Sequence, residues 1–330
     1  SMIESMEVLK DAASAAIYGA QAGNGVVLIT TKTGSAKKGE GHIFYNFQQA
    51  FTSLGKRPEV MNAAQFIDYK KAQNLITDDL LKSKGYDGTD TDWADVVFNT
   101  GLTRKHTLGF EGSTDRSNFY LAIENVNEDG PVVGDKDVYK RLSMQLNADY
   151  KINSWFKVGT NNSIEKWSSK SVREQTRFAS VMMGLIVNDP LTPAYWNSYD
   201  ELPDSYKLQY DNGRNLLRES EGRFYASSIY AENDSGNPLA QRDLSDADNG
   251  GVNLRGVAFG DFTPIKGLVI TSRFGYRIST GHNSSYQAPY YINGMTFSDN
   301  YSISGSNSYN IYYQWENFAN YTKSFGKHTI

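Results

Sequence analysis

The sequence contains no cysteine, so it holds neither a disulfide framework nor a thiolate metal site. It also has no run of 18 apolar residues, which excludes a transmembrane helix candidate; the most apolar stretch, residues 178–187, is too short to span. The net charge of −4 is spread along the chain, and no run of five or more like charges occurs. Because a nucleic-acid partner requires a basic face, we expect none.

Catalytic and cofactor signatures are also missing. The four histidines are scattered singly, and neither His-Glu-x-x-His nor Gly-x-Ser-x-Gly occurs. The glycine-rich turn at residues 19–25 is not a phosphate loop, because no Gly-Lys-Ser/Thr follows it. We therefore expect no enzyme activity, no cofactor and no resident metal.

The residues that are abundant favour β-structure. Tyrosine (22) and phenylalanine (16) are heavily used beside many Gly, Asn and Ser residues. Residues 141–152 form the cleanest strand, because apolar and polar side chains alternate there with period 2. One face carries Leu142, Met144, Leu146, Ala148, Tyr150 and Ile152, and the other carries Arg141, Ser143, Gln145, Asn147, Asp149 and Lys151.

The connections between predicted strands alternate between tight and long, which is typical of an outer-membrane β-barrel. The predicted strands are roughly 10–13 residues long, which matches a tilted membrane crossing. Alternation alone does not say which face meets lipid. Aromatic residues near strand ends favour an interfacial girdle: Trp155, Trp167, Tyr301 and Tyr321. The eight predicted strands cover residues 42–53, 104–111, 118–126, 141–152, 155–166, 252–262, 268–280 and 311–323, and a tight turn at residues 325–327 starts a ninth.

A small α/β unit precedes these strands. Residues 3–9 and 26–31 read as strands, and Asp11 is a good N-cap for a helix over residues 12–18. Gly19 suits the residue after the helix, and Gly23-Asn24-Gly25 predicts a turn. The spacing by itself supports no more than a generic βαβ fragment.

Residues 3–34 resemble the end of the plug domain of TonB-dependent outer-membrane transporters, most closely the SusC/RagA-like branch of Bacteroidetes. About thirty contiguous positions carry the resemblance; Ala20-Gln21-Ala22 departs from it, standing where the family commonly has a Ser-Arg-Gly turn. Asp90-Thr91-Asp92-Trp93, followed by Phe98, also resembles the family. The plug-motif residues are Val8, Leu9, Lys10, Asp11, Ile17, Tyr18, Gly19, Gly23, Asn24 and Gly25.

The resemblance implies a mainly β fold: eight to nine strands of a 22-stranded transmembrane antiparallel barrel, preceded by the end of an α/β plug. We expect the plug part over residues 1–34, a linker over 35–41 and barrel strands over 42–330. Long extracellular loops are expected near 54–102, 168–250 and 281–306. The chain would then be an internal piece of a longer protein.

The resemblance also implies a function: TonB-dependent import of oligosaccharides or peptides across the outer membrane of a Gram-negative bacterium. Its implied partners are a SusD-like surface lipoprotein, the TonB–ExbB–ExbD complex and outer-membrane lipid. An alternative is a secreted or surface β-rich glycan-binding protein without transport. A second is an outer-membrane-associated hydrolase, for which the sequence offers no motif.

Two sets of loop residues are candidate sites. Four loop aromatics could contact a substrate: Tyr195, Trp196, Tyr286 and Tyr290. For each of them we favour the alternative, which is a place in the interfacial girdle or packing within the loops. Four acids cluster in the first long loop and could bind calcium, but the EF-hand spacing is absent, and we favour solvated loop acids and helix caps instead. They are Asp87, Asp90, Asp92 and Asp95.

Overall fold

An eight-stranded antiparallel sheet dominates the structure, a computed structural model. The structure describes residues 3–10, 22–34, 39–172, 180–230, 236–244, 246–325 and 328–329. The strands are β1 (Ile3–Leu9), β2 (Val26–Thr31), β3 (Gly41–Thr52), β4 (Gly101–Ser113), β5 (Ser117–Asp129), β6 (Val138–Lys151), β7 (Phe156–Lys170), β8 (Tyr195–Trp196), β9 (Phe224–Tyr225), β10 (Ala247–Ile265), β11 (Leu268–Gln287), β12 (Tyr290–Tyr291), β13 (Phe297–Ser298), β14 (Ser302–Tyr321), β15 (Ser324–Phe325) and β16 (His328–Thr329).

Short helices occupy the long connections, and side-chain caps fix where several begin. The Asn62 side chain and Gln65 form a reciprocal capping box, while Thr77, Asp92 and Ser180 each accept a backbone N–H at their helix starts. Among the described residues, no helix is long and apolar enough to cross a membrane. The helices are α1 (Ala63–Ala72), α2 (Asp78–Ser83), α3 (Trp93–Val97), α4 (Val181–Val187), α5 (Asp204–Asp211) and α6 (Pro238–Leu244).

The large sheet is a meander in which each strand pairs with the next long strand of the chain. The order is β3-β4-β5-β6-β7-β10-β11-β14, and every pairing is antiparallel. Within the described residues β3 and β14 are the two edges and do not pair with each other. The mainly β, antiparallel prediction is confirmed. At the C-terminal side β15 pairs with β16, where the sequence predicts the start of a further strand.

Tight turns gather at one end of the sheet and long connections at the other, as the sequence predicts. The strands are 12 to 20 residues long, longer than expected, because pairing continues beyond the periodic stretches into the predicted loops 168–250 and 281–306. We name the two ends by their connections. The turn end holds residues 114–116, 152–155, 266–267 and 322–323. The loop end holds residues 53–100, 130–137, 288–301 and the described part of 171–246.

The two faces of the sheet differ in chemistry. Met144 pairs with Ile123 and Ile164, and the same row continues through apolar residues to β14. We call this the apolar face. Many of its large side chains are exposed: Ile43, Leu108, Ile123, Met144, Ile164, Phe274, Ile311 and Trp315. The opposite face, the polar face, carries Arg141, Ser143, Gln145, Asn147 and their partners.

The aromatic girdle prediction needs one correction. Trp155 and Tyr321 are exposed at the turn end, and Tyr301 is exposed at the loop end. Trp167 pairs with Arg141 and Gly251 and therefore lies on the polar face, so its predicted place in the girdle is wrong. The prediction used only the position of Trp167 near a strand end. Which face its side chain occupies depends on the register of the strand, which the sequence position does not give.

The long connections pack together into a layer at the loop end, which we call the loop layer. Three clusters of buried apolar residues hold it together. The largest joins residues from four connections, so the loops bury surface against each other. The sequence predicts residues 168–250 to be irregular; their described part instead contains α4, α5, α6 and the β8–β9 pair. The largest cluster contains Trp93, Ala94, Val97, Phe98, Val132, Val172, Val181, Leu185, Tyr225, Leu239, Ala240 and Ile292.

Trp93 is the residue on which we expect the loop layer to depend most. Its side chain is 2% exposed, and its indole N–H donates to the Asp189 carbonyl at 2.9 Å. Trp93→Ala is expected to destabilise the layer by about 3–5 kcal/mol, because it leaves a large cavity and an unpaired carbonyl. Denaturant-dependent protease cleavage within the layer measures this. Trp155→Ala, at an exposed tryptophan outside the layer, is the matched control and should leave cleavage unchanged; equal effects would contradict the assignment.

Candidate functional site

A buried ion triad lies within the polar face. The Glu124 carboxylate lies 2.8 Å from Lys105 Nζ through one oxygen and 2.8 Å from Arg141 Nη2 through the other. Its side chain is only 6% exposed, while both cations are about one-third exposed. Thr107 adds a hydroxyl bond at 3.3 Å. A carboxylate this buried requires its partners, because an unpaired charge there carries a large desolvation cost.

Three further ion pairs cross neighbouring strands on the same face, and they are more exposed than the triad. A sheet face bearing so many satisfied charges is suited to contact with water. The polar face is therefore suited to lie against water. The pairs are Arg255 with Glu165 at 3.4 Å, Lys157 with Asp261 at 3.6 Å, and Arg273 with Glu316 at 3.9 Å.

Asn147 joins the N-terminal hairpin, β1 and β2, to this polar face. Its amide nitrogen donates to Thr31 Oγ1 at 3.0 Å and to the Lys32 carbonyl at 2.6 Å. Its amide oxygen accepts from Gln145 Nε2 at 2.6 Å. Asn147 is fully buried, so these bonds are shielded from water. The hairpin is thus fastened to the polar face at the end of β2.

The chain beyond β2 stays against the sheet. Lys32 Nζ lies 5.5 Å from the centre of the Phe44 ring. Gly34 is buried with φ +87°, and a Cβ there would lie 2.4 Å from the Phe119 carbonyl oxygen. The Gly39 N–H donates to the Ser113 carbonyl at 2.8 Å, at the turn end. The chain that follows the hairpin therefore joins the sheet at the turn end, opposite the loop layer.

Six of the ten plug-motif residues lie among the described residues, and their placement shows how the hairpin closes. Val8 pairs with Val27 and Leu9 with Val26, next to Lys10. Gly25 has φ +90°, and a Cβ there would lie 3.2 Å from the Leu9 carbonyl oxygen. This close approach explains the glycine in the Gly23-Asn24-Gly25 turn. Asp11, Ile17, Tyr18 and Gly19 lie outside the described residues.

Two adjoining cavities of about 550 and 630 Å³ open in the loop layer. They share Lys84, Ser205, Ile229 and Tyr230. Aromatic pairs stand at both sides: the rings of Tyr86 and Tyr230 are 6.4 Å apart, those of Trp196 and Tyr206 are 4.8 Å apart, and those of Tyr206 and Tyr291 are 5.8 Å apart. Mixed aromatic and polar walls of this kind suit a small hydrophilic ligand.

The structure does not bring the four candidate substrate contacts together. Trp196 lines the 630 Å³ cavity but is 7% exposed and packs on Tyr206. Tyr195 packs on Tyr225 with ring centres 5.5 Å apart. Tyr290 lines a separate cavity of about 580 Å³, and the exposed Tyr286 lines another of about 280 Å³. Loop packing describes Tyr195 and Trp196, while Tyr286 and Tyr290 are open to a ligand.

The acids of the first long loop serve local structure. Asp87 accepts the backbone N–H and the hydroxyl of Thr89, and these bonds lower the pKa of its carboxyl. Asp90 accepts the Ala63 N–H at 2.8 Å, at the start of α1. Asp92 caps α3, and Asp95 pairs with Arg57. Within the part of the chain that the structure describes, no three His, Asp or Glu residues are grouped as a metal site requires.

A hydrogen-bonded network within the loop layer centres on Tyr225. Its hydroxyl donates to Asp243, and Arg242 pairs with Asp243 at 2.6 Å and donates to the Val133 carbonyl at 2.8 Å. Burial, together with the bond to Asp243, raises the pKa of Tyr225 well above its ordinary value. Tyr225 is 5% exposed and belongs to the largest apolar cluster. The network fixes α6 to β9 in its own connection and to Val133 in the connection of residues 130–137.

Sequence reasoning missed the two most consequential residues, Glu124 and Asn147. Periodicity places Glu124 and Asn147 on polar faces of their strands but does not say what they meet. Their partners are 17 to 116 residues away, through the register of the sheet and the return of the hairpin. An alternating strand carrying one charged residue is the only signal that the sequence offers.

Comparison with known proteins gives consistent neighbours. No protein-family model matches the chain. The TonB-dependent receptor P3 of Formosa agariphila is 26% identical over 99% of this chain and 30% of its own length. The TonB-dependent receptor SusC of Bacteroides thetaiotaomicron is 26% identical over 98% of this chain and 31% of its own length. The chain therefore spans about a third of the length of the curated relatives it matches.

The resemblance to the SusC/RagA-like TonB-dependent receptors is confirmed. The fold agrees with it. The solved structure of the RagAB peptide transporter matches with a TM-score of 0.76 and 23% identity, over 99% of this chain and 37% of that one. A RagAB peptide importer in an "open-open" state matches with a TM-score of 0.76 and 22% identity, over 98% and 37%.

Asn147 gives a direct test of the junction between the end of β2 and the polar face. Asn147→Leu removes both bonds to the end of β2, so Thr31 and the Lys32 carbonyl lose their partner on the sheet. The junction is expected to lose roughly 1–3 kcal/mol. Hydrogen exchange of the β2 amides, which becomes faster, measures the loss. Asn161 pairs with Asn147 on the same face and makes no side-chain bond to the hairpin, so Asn161→Leu is the control; faster exchange in both variants would contradict the role of Asn147.

Tyr225 predicts a pH dependence of the loop layer. A raised tyrosine pKa means that its contribution to stability is fully present below the ordinary pKa of about 10 and is lost as pH rises through the raised value. Protease cleavage in the layer should therefore increase in strong alkali. Tyr225→Phe should flatten this dependence, while Tyr301→Phe, at a 70% exposed position, should not. An alkaline response that survives Tyr225→Phe would assign it to other groups.

Proposed function

We propose that this chain is part of a TonB-dependent importer of the outer membrane, and that it takes up oligosaccharides or peptides. Residues 1–34 form the end of the plug, residues 35–41 the linker and residues 42–330 the first strands of the barrel wall. The plug closes the passage along the polar face. The curated relatives named as TonB-dependent receptors and the RagAB importer structures support this assignment.

The observation that carries the proposal is the pairing of an exposed apolar face with a polar face that holds the hairpin. Ile43 is 78% exposed and Trp315 is 71% exposed, while Asn147 on the polar face is fully buried under the hairpin. A water-soluble sheet protein reverses this arrangement and packs its apolar face inside. Lipid is the solvent in which the observed arrangement is stable. The same observation disfavours a soluble glycan-binding protein.

The two ends of the sheet have the polarity that import requires. The loop layer lies at one end, and the chain leaves the hairpin at the other. In the proposal the loop layer is extracellular and lies beneath a SusD-like lipoprotein that delivers the substrate. The TonB–ExbB–ExbD complex pulls the plug from the periplasmic side. This chain binds, guides and releases its substrate and needs no chemistry of its own.

The loop layer supplies the candidate substrate contacts. Tyr286 and Tyr290 are accessible in their cavities, and the shared wall of the 550 and 630 Å³ cavities presents Lys84 and Tyr230. Aromatic rings with nearby hydroxyl, amide and charged groups bind either a sugar ring or a peptide group. Tyr195 and Trp196 remain candidates for an indirect role in substrate binding, because they pack within the loop layer that contains the cavities.

The test of the proposal has a membrane arm and a transport arm. The full-length receptor should fractionate with the outer membrane, need detergent for extraction and migrate differently on gels before and after heating. Deleting its gene should abolish growth on one oligosaccharide or peptide source. Complementation should restore that growth only when TonB is functional. A water-soluble, folded product or TonB-independent growth would overturn the proposal.

A further inference from the structure

A belt of cations crosses the apolar face next to the loop layer. Arg104, Lys140 and Lys166 are exposed and lie on β4, β6 and β7, on the same face as Leu108, Leu142 and Ile164. Lys140 shares a row with Arg104, through Asn127, and Lys166 occupies the next row. The sequence alone does not predict this belt, because the three residues are distant in sequence and only the strand register places them side by side.

The belt is unpaired among the described residues. Arg104, Lys140 and Lys166 form no ion pair there, whereas the polar-face cations Lys105, Arg141 and others are paired. The two rows that carry the belt contain no acid on the apolar face, and they also contain His106 and His282. Asp129 lies on the same face in the next row toward the loop end, diagonal to Arg104 and Lys140, and forms no ion pair with either of them in the part of the chain that is described.

The belt stands at the border of the apolar band. From Leu142 to Tyr150 every outward residue of β6 is apolar or aromatic, and the next one toward the loop end is Lys140. Eight residue steps cover about 27 Å along a strand, or roughly 20 Å of membrane thickness at a typical barrel tilt. Between the belt and the turn end, the described strands place no Asp, Glu, Lys, Arg or His on the apolar face.

We propose that Arg104, Lys140 and Lys166 bind the phosphate groups of a lipid headgroup in the leaflet on the loop-layer side. This inference rests on the proposed membrane location of the sheet. The belt meets the membrane where headgroup phosphates lie, and its charge is complementary to them. The diagonal spacing of Lys140 and Lys166 is about 7–8 Å, so that one phosphate bridges both ammonium groups.

Arg104 extends the site along the membrane plane. It lies two strands from Lys140, about 10 Å away. The guanidinium group binds a phosphate through two parallel hydrogen bonds, which a lysine does not. A headgroup carrying two phosphates, or two neighbouring headgroups, would engage all three cations. This lipid would order the sheet at the level at which the loop layer begins.

The experiment is a lipid titration of the purified full-length receptor in detergent, followed by native mass spectrometry. The probes are a bis-phosphorylated glycolipid, the same glycolipid after phosphatase treatment, and inorganic phosphate. The phosphorylated lipid should bind, and the Arg104→Gln, Lys140→Gln, Lys166→Gln triple variant should bind it about tenfold or more weakly. The dephosphorylated lipid should bind wild type and variant equally. Inorganic phosphate should not compete at equal concentration.

The matched control removes the same charges from the turn end. Arg116, Lys151 and Lys266 are exposed there, and their triple Gln variant should bind the lipid like wild type. Heat-modifiable migration checks that both variants fold, and Lys140→Arg with Lys166→Arg should retain binding. Equal binding by the belt variant and wild type overturns the inference, as does equal loss in the control. If the receptor imports its substrate normally but shows no phosphate-dependent binding, only this inference fails; if it does not enter membranes, the proposed function fails.

Discussion

The antiparallel register of the large sheet, which shifts between Phe262 and Ile265 at the turn end, is the constraint on which the rest of the structure depends. Because side chains alternate along a strand, a shift of one residue would move every apolar residue of that strand to the polar face. Glu124 meets Lys105 and Arg141 only in the observed register. The same pairing carries the exposed apolar band across eight strands and places Asn147 under the end of β2. One geometric rule thus separates an apolar face from a polar face.

The sequence predicts the sheet well because period-2 alternation and turn length are local signals. Residues 141–152 show the alternation directly, and the tight and long connections fall at the predicted ends. The strand ends are predicted less well: β10 begins at Ala247 and β11 continues to Gln287, because pairing with a neighbour extends a strand whose own residues are Gly, Asn and Ser. The misplaced Trp167 has the same cause, because the face on which its side chain lies is set by pairing with the neighbouring strands.

The functional regions are less predictable because they depend on contacts distant in sequence. Asn147 resembles any polar strand residue until the hairpin returns to it 116 residues away in the chain. The loop layer is built from four connections that share one apolar cluster, a pairing that no periodicity reveals. The aromatic pair Tyr195 and Trp196 illustrates this, because it reads as a binding surface in sequence and packs largely inside the layer. Resemblance to the SusC/RagA-like receptors supplies the plug assignment, which the spacing alone leaves generic.

The central claim is that the apolar face meets lipid and the polar face meets water, and a cysteine scan along β6 tests it most directly. These 330 residues contain no cysteine, so single substitutions at 142, 143, 144 and 145 introduce one label each once any cysteine elsewhere in the full-length receptor is replaced by serine. In the receptor embedded in a bilayer, we predict that fluorophores at Leu142 and Met144 are quenched by lipid-borne nitroxide. Fluorophores at Ser143 and Gln145 should instead be quenched by a water-soluble agent or be shielded by the hairpin. Equal access of water to all four positions, or lipid quenching at Ser143 and Gln145, would contradict the account.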